Sequence, residues 1–356
     1  MTDLELRLEA FVKLGDLFRE FCEYSKKAGE NKRELHGWQL ELEKVTTLAN
    51  HKNGWFTKEN VLFSMENWSE SLTAEKLGSW LSPYHIRPDH KKVLLVMAGN
   101  IPLVGFHDFL ATVLTGNTAL VKLSSNDNVL MPFVIKYLAA VAPILSDRMV
   151  VTDGLIKDYD VVIATGSNNT ARYFERYFGN RPNIIRKNRN SVAVLTGGEN
   201  REQLHALGED IFRYYGLGCR SVSKLFVPTG YNFDPFFGAI LPYSDIMDLP
   251  KYANNYDYNK AVYLMSEFSF LDNGFLMLKE DKSYSSPIAT MFYETYDSLD
   301  GLSDILQRDS DKLQCVVGNN AVGGEIDFGK TQHPSLKDYA DGMDTVEFLL
   351  TTSSQY

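Results

Sequence analysis

Leu4, Leu8, Phe11, Leu14, Phe18 and Phe21 fall on one face at helical spacing, which predicts an amphipathic helix over 3–28. A mixed polar stretch follows, with Trp38, Trp55, Trp68 and Trp80 at no motif spacing. These read as packing residues of short helices ending near Ser82 and Pro83. From Lys92 onward, apolar runs of strand length alternate with helical stretches. Residues 93–98 are too continuously apolar for a surface strand and read as a central parallel one. A helix carrying Val104, Phe109, Leu110 and Val113 comes next, stopped by Gly116 and Asn117. Further strands are expected at 118–123, 149–152 and 160–164, with 191–195 completing the series, and helices over 127–141 and from 168 through Phe178. Repeated strand-helix-strand units predict a doubly wound parallel sheet, which binds ligands at the carboxyl ends of its strands. Leu204, Leu207, Ile211 and Tyr215 then form the buried stripe of a helix leading to Cys219, and beyond Pro228 an aromatic region predicts a second sheet with its own cover.

Composition narrows the classes of function. The 356 residues are 44% apolar and 23% charged, an ordinary globular balance with room for two domains. A net charge of −10 argues against nucleic-acid binding, which needs a basic face. Cys22, Cys219 and Cys315 form no disulfide framework, which suits a reducing cytoplasm. No apolar run approaches the roughly 20 residues that cross a bilayer, and the acidic start is no signal peptide. The histidines show no metal spacing.

Candidate chemistry gathers at turns. Gly216 and Gly218 flank a lone cysteine, Cys219, and would let the backbone present its sulfur to a substrate. Arg220 and Lys224 would favour a thiolate if their charges face it. The alternative is a small buried apolar cysteine. After the first strand, Gly99-Asn100-Ile101-Pro102 forces a turn, and Asn100 is a candidate oxyanion donor. After the second, Lys122, Ser124 and Ser125 offer an ammonium and hydroxyls to a phosphate or ribose. After the fourth, Gly166 and Ser167 open a helix whose N-terminus suits an anion. The run Arg181, Arg186, Lys187 and Arg189 either meets phosphates of coenzyme A or NADPH or is a solvated loop. There is no GxGxxG.

In this order the pieces resemble the aldehyde dehydrogenase superfamily. Asn100-x-Pro102 looks like its oxyanion asparagine turn, Gly116-Asn117 with Lys122-x-Ser124 like its ribose segment, and Thr165-Gly166-Ser167 like its pyrophosphate turn. Leu195-Thr196-Gly197-Gly198 resembles its glycine pair, and Gly218-Cys219 its nucleophile. Gly218-Cys219-Arg220-Ser221, Phe328-Gly329-Lys330-Thr331-Gln332-His333-Pro334 and Asp338-Tyr339-Ala340-Asp341-Gly342 are closer to the bacterial LuxC-type fatty acyl-CoA reductases.

The resemblance implies an aldehyde dehydrogenase-like α/β fold: a helical layer over 1–80, a doubly wound parallel-sheet dinucleotide domain over 81–197, an α/β catalytic domain over 198–335, and a tail over 336–356 returning to the core or to an oligomer contact. It implies Cys219 and Asn100 as catalytic residues, with Lys122, Ser124, Ser125, Gly166, Ser167, Gly197 and Gly198 holding the cofactor. Leu195 stands where relatives carry a deacylating glutamate, so an acyl-cysteine would hydrolyse slowly. Glu199 belongs to the start of the next helix, where Asn200 and Gln203 resemble a capping box. Ser125 in place of a ribose-binding glutamate favours NADPH. The expected reaction is reduction of a coenzyme A thioester to an aldehyde, with an acyl-transferring partner protein and a homo-oligomer left open. A cysteine acyltransferase or hydrolase, or a silent binding module of the same fold, are the other readings.

Overall fold

The computed structural model describes residues 2–27, 34–86, 90–154 and 156–352. In chain order the elements are α1 (Asp3–Lys26), α2 (Gly37–Lys52), α3 (Lys58–Ser71), α4 (Ala74–Leu81), β1 (Lys92–Val96), α5 (Phe106–Leu114), β2 (Thr118–Lys122), α6 (Leu130–Val141), β3 (Met149–Val151), β4 (Val161–Thr165), α7 (Asn168–Phe178) and β5 (Asn183–Arg186). There follow β6 (Asn190–Val194), α8 (Arg201–Phe212), β7 (Val222–Pro228), α9 (Asp234–Ile240), α10 (Pro250–Met265), β8 (Leu271–Asp272), β9 (Met277–Glu280), β10 (Thr290–Tyr296), α11 (Leu299–Arg308), β11 (Leu313–Val317) and α12 (Thr345–Thr351). They form two compact units, residues 1–187 with 335–356, and residues 188–334.

The first unit is built on a parallel sheet in the order β3-β2-β1-β4-β5. One face packs against α1, α5 and α6 through Phe11, Phe18, Phe106, Phe109, Val134 and their neighbours. The other face carries α7, whose Phe174 and Phe178 cover Leu94, Val162 and Ala164. Helix α1 ends at Lys26, and the last residue of its expected span lies outside the described residues. It starts on a capping box of Thr2 and Glu5, and the buried guanidinium of Arg7 donates to Val113 O and Leu114 O at the end of α5. A cation on terminal carbonyls satisfies both groups at once. Helix α12 packs into the same core through Val346 and Leu349.

The second unit is a six-stranded sheet in the order β11-β6-β7-β10-β9-β8, parallel except for the β8–β9 pair. Residues 191–195, expected to complete the first sheet, belong here as β6. A strand buried on both faces looks alike whichever sheet it joins. Two helix boundaries also differ from expectation. Helix α6 begins at Leu130 rather than at 127, because the Asp127 carboxylate accepts from Leu130 N and acts from outside. Helix α8 stops at Phe212, so Tyr215 lies beyond the stripe of Leu204, Leu207 and Ile211.

Candidate active site

The cysteine is presented by a corner of the wrong hand. Past α8, Tyr214 (φ 56°, ψ 24°) and Tyr215 (φ 59°, ψ 28°) are both left-handed, and Gly216 continues at φ 74°. Each non-glycine residue held there costs on the order of 1–2 kcal/mol, so the surroundings must enforce it. The next residues are pinned by main-chain bonds, Leu217 N to Tyr214 O (3.1 Å) and Ser221 N to Gly218 O (3.0 Å). The buried Ser191 hydroxyl donates to Cys219 O at 2.9 Å. Cys219 itself is exposed, which removes the reading of it as a small core residue.

Beside the sulfur is a cavity of about 250 Å³, lined by Cys219, Arg189, Tyr215, Tyr252, Ser286 and Met291 among others. Its apolar residues sit with Ser221, Ser223, Ser285 and Asn188, a mixed wall that suits a thioester. Among the described residues that line it there is no aspartate, glutamate or histidine. That matters chemically, because activating a water on an acyl-cysteine, or running a cysteine hydrolase, needs such a base within hydrogen-bond reach.

Of the two cations expected to serve the sulfur, Lys224 is committed to a carboxylate of its own. Lys224 is fully buried, pairs with Glu294 at 2.6 Å and donates to Lys282 O at 2.9 Å. Arg220 reaches Thr331 O and Cys315 Sγ, both at 3.5 Å.

The glycine pair needs a larger correction. β6 and β7 run parallel with Ser191 opposite Val222, so Cys219 sits at the amino end of these strands. Leu195, Gly197 and Gly198 follow the carboxyl end of β6 at Val194, which is three strand positions, roughly 10 Å, beyond Ser191. Gly197 and Gly198 therefore belong to the cysteine's own unit but not to its site. Leu195 does not stand in the place of a base, and the residues level with the cysteine are Asn188, Arg189 and Asn190. Glu199 closes its own turn by accepting from Thr196 N (2.7 Å), Thr196 Oγ1 (2.8 Å) and Gly197 N (3.0 Å). The capping box of Asn200 and Gln203 is present as expected.

In the first unit the other candidate residues gather at one edge of the sheet. The strand order reverses between β1 and β4, and a doubly wound sheet binds ligands at the carboxyl ends beside such a reversal. Val96 is level with Lys122 on one side and Ala164 on the other, so Asn100, Lys122, Ser124, Ser125, Gly166 and Ser167 all follow the same ends. Gly99 packs so closely that a Cβ there would lie 2.7 Å from Ser124 Oγ. The Asp127 carboxylate ties the two loops, accepting from Leu103 N and Leu130 N at 3.4 Å each. Burial raises its pKa above the usual carboxylate value. Asn100, Lys122 and Ser125 are exposed. Ser167 caps α7, accepting from Thr170 N at 3.3 Å, so its hydroxyl serves the helix and an anion would meet the first-turn N–H groups. An ammonium, hydroxyls and a helix N-terminus at a reversal of strand order fit a dinucleotide.

Arg186 is not one of the phosphate-facing cations. It is buried, pairs with Asp108 at 2.6 Å and donates to Ala340 O and Thr345 Oγ1. Lys187 pairs with Glu175 at 2.8 Å, and Arg189 donates to Leu313 O at 3.1 Å.

Residues 24–236 match the family described as acyl-CoA reductase (LuxC). The chain belongs to the LuxC acyl-CoA reductase family. Among curated proteins, this LuxC-family chain is 26% identical over 231 residues to the long-chain acyl-protein thioester reductase of Aliivibrio fischeri, covering 58% of this chain and 47% of that protein. It thus spans about half the length of that relative. Among solved structures, it is similar to a putative aldehyde dehydrogenase from Burkholderia cenocepacia (11% identity, 89% of this chain, 74% of that chain, TM-score 0.62). Indole-3-acetaldehyde dehydrogenase of P. syringae, in complex with NAD+ and IAA, gives 13%, 89%, 72% and 0.63 in the same order. Betaine aldehyde dehydrogenase of Staphylococcus aureus, in complex with NAD+, gives 12%, 93%, 72% and 0.62. The LuxC-family chain therefore has an aldehyde dehydrogenase-like fold. No helix among its described residues is long and apolar enough to cross a membrane.

The sequence signalled Cys219 through its flanking glycines. Ser191 and Tyr252 carry no such mark, because a strand-end serine and a helix tyrosine look the same beside a site and in ordinary positions.

Proposed function

We propose that this chain reduces an acyl thioester to an aldehyde through an acyl-cysteine on Cys219. The observation that carries the reading is an exposed cysteine on a pinned corner, beside a cavity whose described lining offers no general base. The acyl donor is a fatty acyl-CoA. The Aliivibrio fischeri relative is named for acyl-protein substrates, so a protein-borne acyl group is the other source.

The Cys219 thiolate attacks the thioester carbonyl. A new carbon–sulfur bond forms, the bond to coenzyme A breaks, and the leaving thiolate takes up a proton. The N–H of Cys219 donates to the oxyanion that develops, where fixed donors are most effective, and the resemblance assigns Asn100 the same role. When bound at the ends of β1, β2 and β4, NADPH supplies a hydride for this chemistry. Lys122 and Ser124 would hold its ribose and phosphate side, the first-turn N–H groups of α7 would meet the pyrophosphate, and Ser125 would leave a 2′-phosphate unopposed. The thiohemiacetal on Cys219 then collapses, the aldehyde leaves and the thiolate returns. With no carboxylate or imidazole among the described residues lining the cavity, water competes poorly for the acyl-enzyme.

Tetradecanoyl-CoA and NADPH with the purified protein should give aldehyde and NADP+ in equal amounts, and Cys219→Ala should abolish turnover. Undiminished turnover in the variant would end the proposal.

A further inference from the structure

Three polar bonds converge on one carboxylate behind the cysteine corner. Asp210, on α8, is fully buried and accepts from Gly329 N at 2.6 Å, Thr331 N at 2.9 Å and Thr331 Oγ1 at 2.8 Å. The segment it holds is packed flush against the same helix. Gly329 has φ 79°, and a Cβ there would lie 3.1 Å from the Ala206 Cβ. A side chain at this position would both strain the backbone and push the segment off α8.

Segment 329–332 in turn meets the two residues that follow Cys219. Arg220 Nη1 reaches Thr331 O at 3.5 Å, and Gln332 Nε2 reaches Ser221 Oγ at 3.4 Å. These contacts are long, but Thr331, Gln332 and Ser221 are all buried, where water does not replace them. On its other side the corner is held by the Ser191 hydroxyl on Cys219 O. The peptide carrying the sulfur is thus clamped between the start of β6 and a segment roughly 110 positions further along the chain.

We propose that Asp210 is a positioning residue for the thioester chemistry: through Thr331 it fixes the segment on which Arg220 and Ser221 lean, and so sets where the Cys219 sulfur and N–H point. This rests on Cys219 being the nucleophile. The carboxylate touches neither substrate nor cofactor; it acts through two intervening residues. Misplacing a reacting group by about 1 Å costs up to about 100-fold in rate, so a loosened clamp lowers turnover while leaving dinucleotide affinity alone.

The test compares Thr331→Val, which removes the hydroxyl bond to Asp210, with Thr331→Ser, which keeps it, and with Asp210→Asn, which sets an NH2 against a donor. Melting temperature, kcat with tetradecanoyl-CoA and KM for NADPH are read for each. Asp210→Asn and Thr331→Val should lose about tenfold or more in kcat at unchanged KM for NADPH, and Thr331→Ser should recover most of it. Wild-type kcat in folded Thr331→Val and Asp210→Asn overturns the proposal, as does a Thr331→Ser no better than Thr331→Val. If neither variant yields folded protein, Gln332→Leu, which severs the Ser221 contact and leaves the Asp210 bonds in place, carries the same expectation and the same disproof. Cys219→Ala, run alongside, separates the two claims: its activity bears on the nucleophile, and that of the other variants on the clamp.

Discussion

Asp210 holds a carboxylate inside the second unit with neutral donors as its hydrogen-bond partners. Burial, the largest influence, pushes its pKa up to about 6 from an ordinary value of 3.8, against the pull of Gly329 and Thr331. The folded protein therefore binds a proton more readily than the unfolded chain. Stability from this group is fully present below about pH 4 and is lost as pH rises through about 6. The difference amounts to about 3 kcal/mol, because each tenfold gain in proton affinity is worth roughly 1.4 kcal/mol. Denaturant midpoints of the wild type and Asp210→Asn, measured from about pH 4 to 7, should differ by a gap that changes up to about pH 6 and is constant above. A gap independent of pH would show that the carboxylate ionises as it does in water. Lys224 makes the opposite point about single residues. Five positions from the cysteine, it has the sequence position of a partner for the thiolate, yet alternation along β7 turns it to Glu294.

At the scale of elements, the turn after β1 is where sequence and geometry agree most closely. Gly99 has no space for a side chain, because a Cβ would lie 2.8 Å from Ser124 Cβ and 2.9 Å from Asp127 N, and the latter cannot swing aside. Gly99→Ala should destabilise the first unit by about 1–3 kcal/mol, as overpacking does, and weaken NADPH binding by moving the Ser124 loop. Thermal melting and a fluorescence titration with NADPH check the two effects. Strands β1, β2 and β4 are legible in the sequence because a strand covered on both faces is an unbroken apolar run bounded by turn residues. The short edge strand β5 is not, since Asn183 and Arg186 frame only two apolar residues. β6 is legible as a strand, but its sheet is not, and placing it in the first sheet carries Gly197, Gly198 and Leu195 into a site they do not share. The order of motifs along a chain fixes neither which end of a strand a residue occupies nor which partner stands beside it. The paired left-handed tyrosines are invisible for another reason. Nothing in an aromatic side chain announces a positive φ that the surrounding fold imposes.

The whole molecule is a chain that leaves its first unit at Lys187 and returns to it at Ser335. The returning segment is woven into what it left. Lys91 Nζ donates to Leu349 O at 2.8 Å, Tyr84 to Asp344 Oδ2 at 2.6 Å and Trp80 Nε1 to Tyr339 OH at 2.7 Å. Val346 and Leu349 are fully buried. Deleting 335–356 should cost the first unit about 3–6 kcal/mol from those two side chains alone. Hydrogen exchange should show lost protection in β1 and α5, with β6 and β7 unchanged; equal protection in the truncated protein would mean that α12 contributes nothing to that core.

The same return sets a schedule during synthesis. All of 188–334 leaves the ribosome before any of 335–352, so the cysteine unit has its complete sequence while the earlier-made unit still waits for its last helix. Domains usually mature from the N-terminus onward. Here the unit begun first still lacks part of its own sequence after the other has all of it, and until then Val93, Leu95 and Phe109 belong to a core without the wall that α12 supplies.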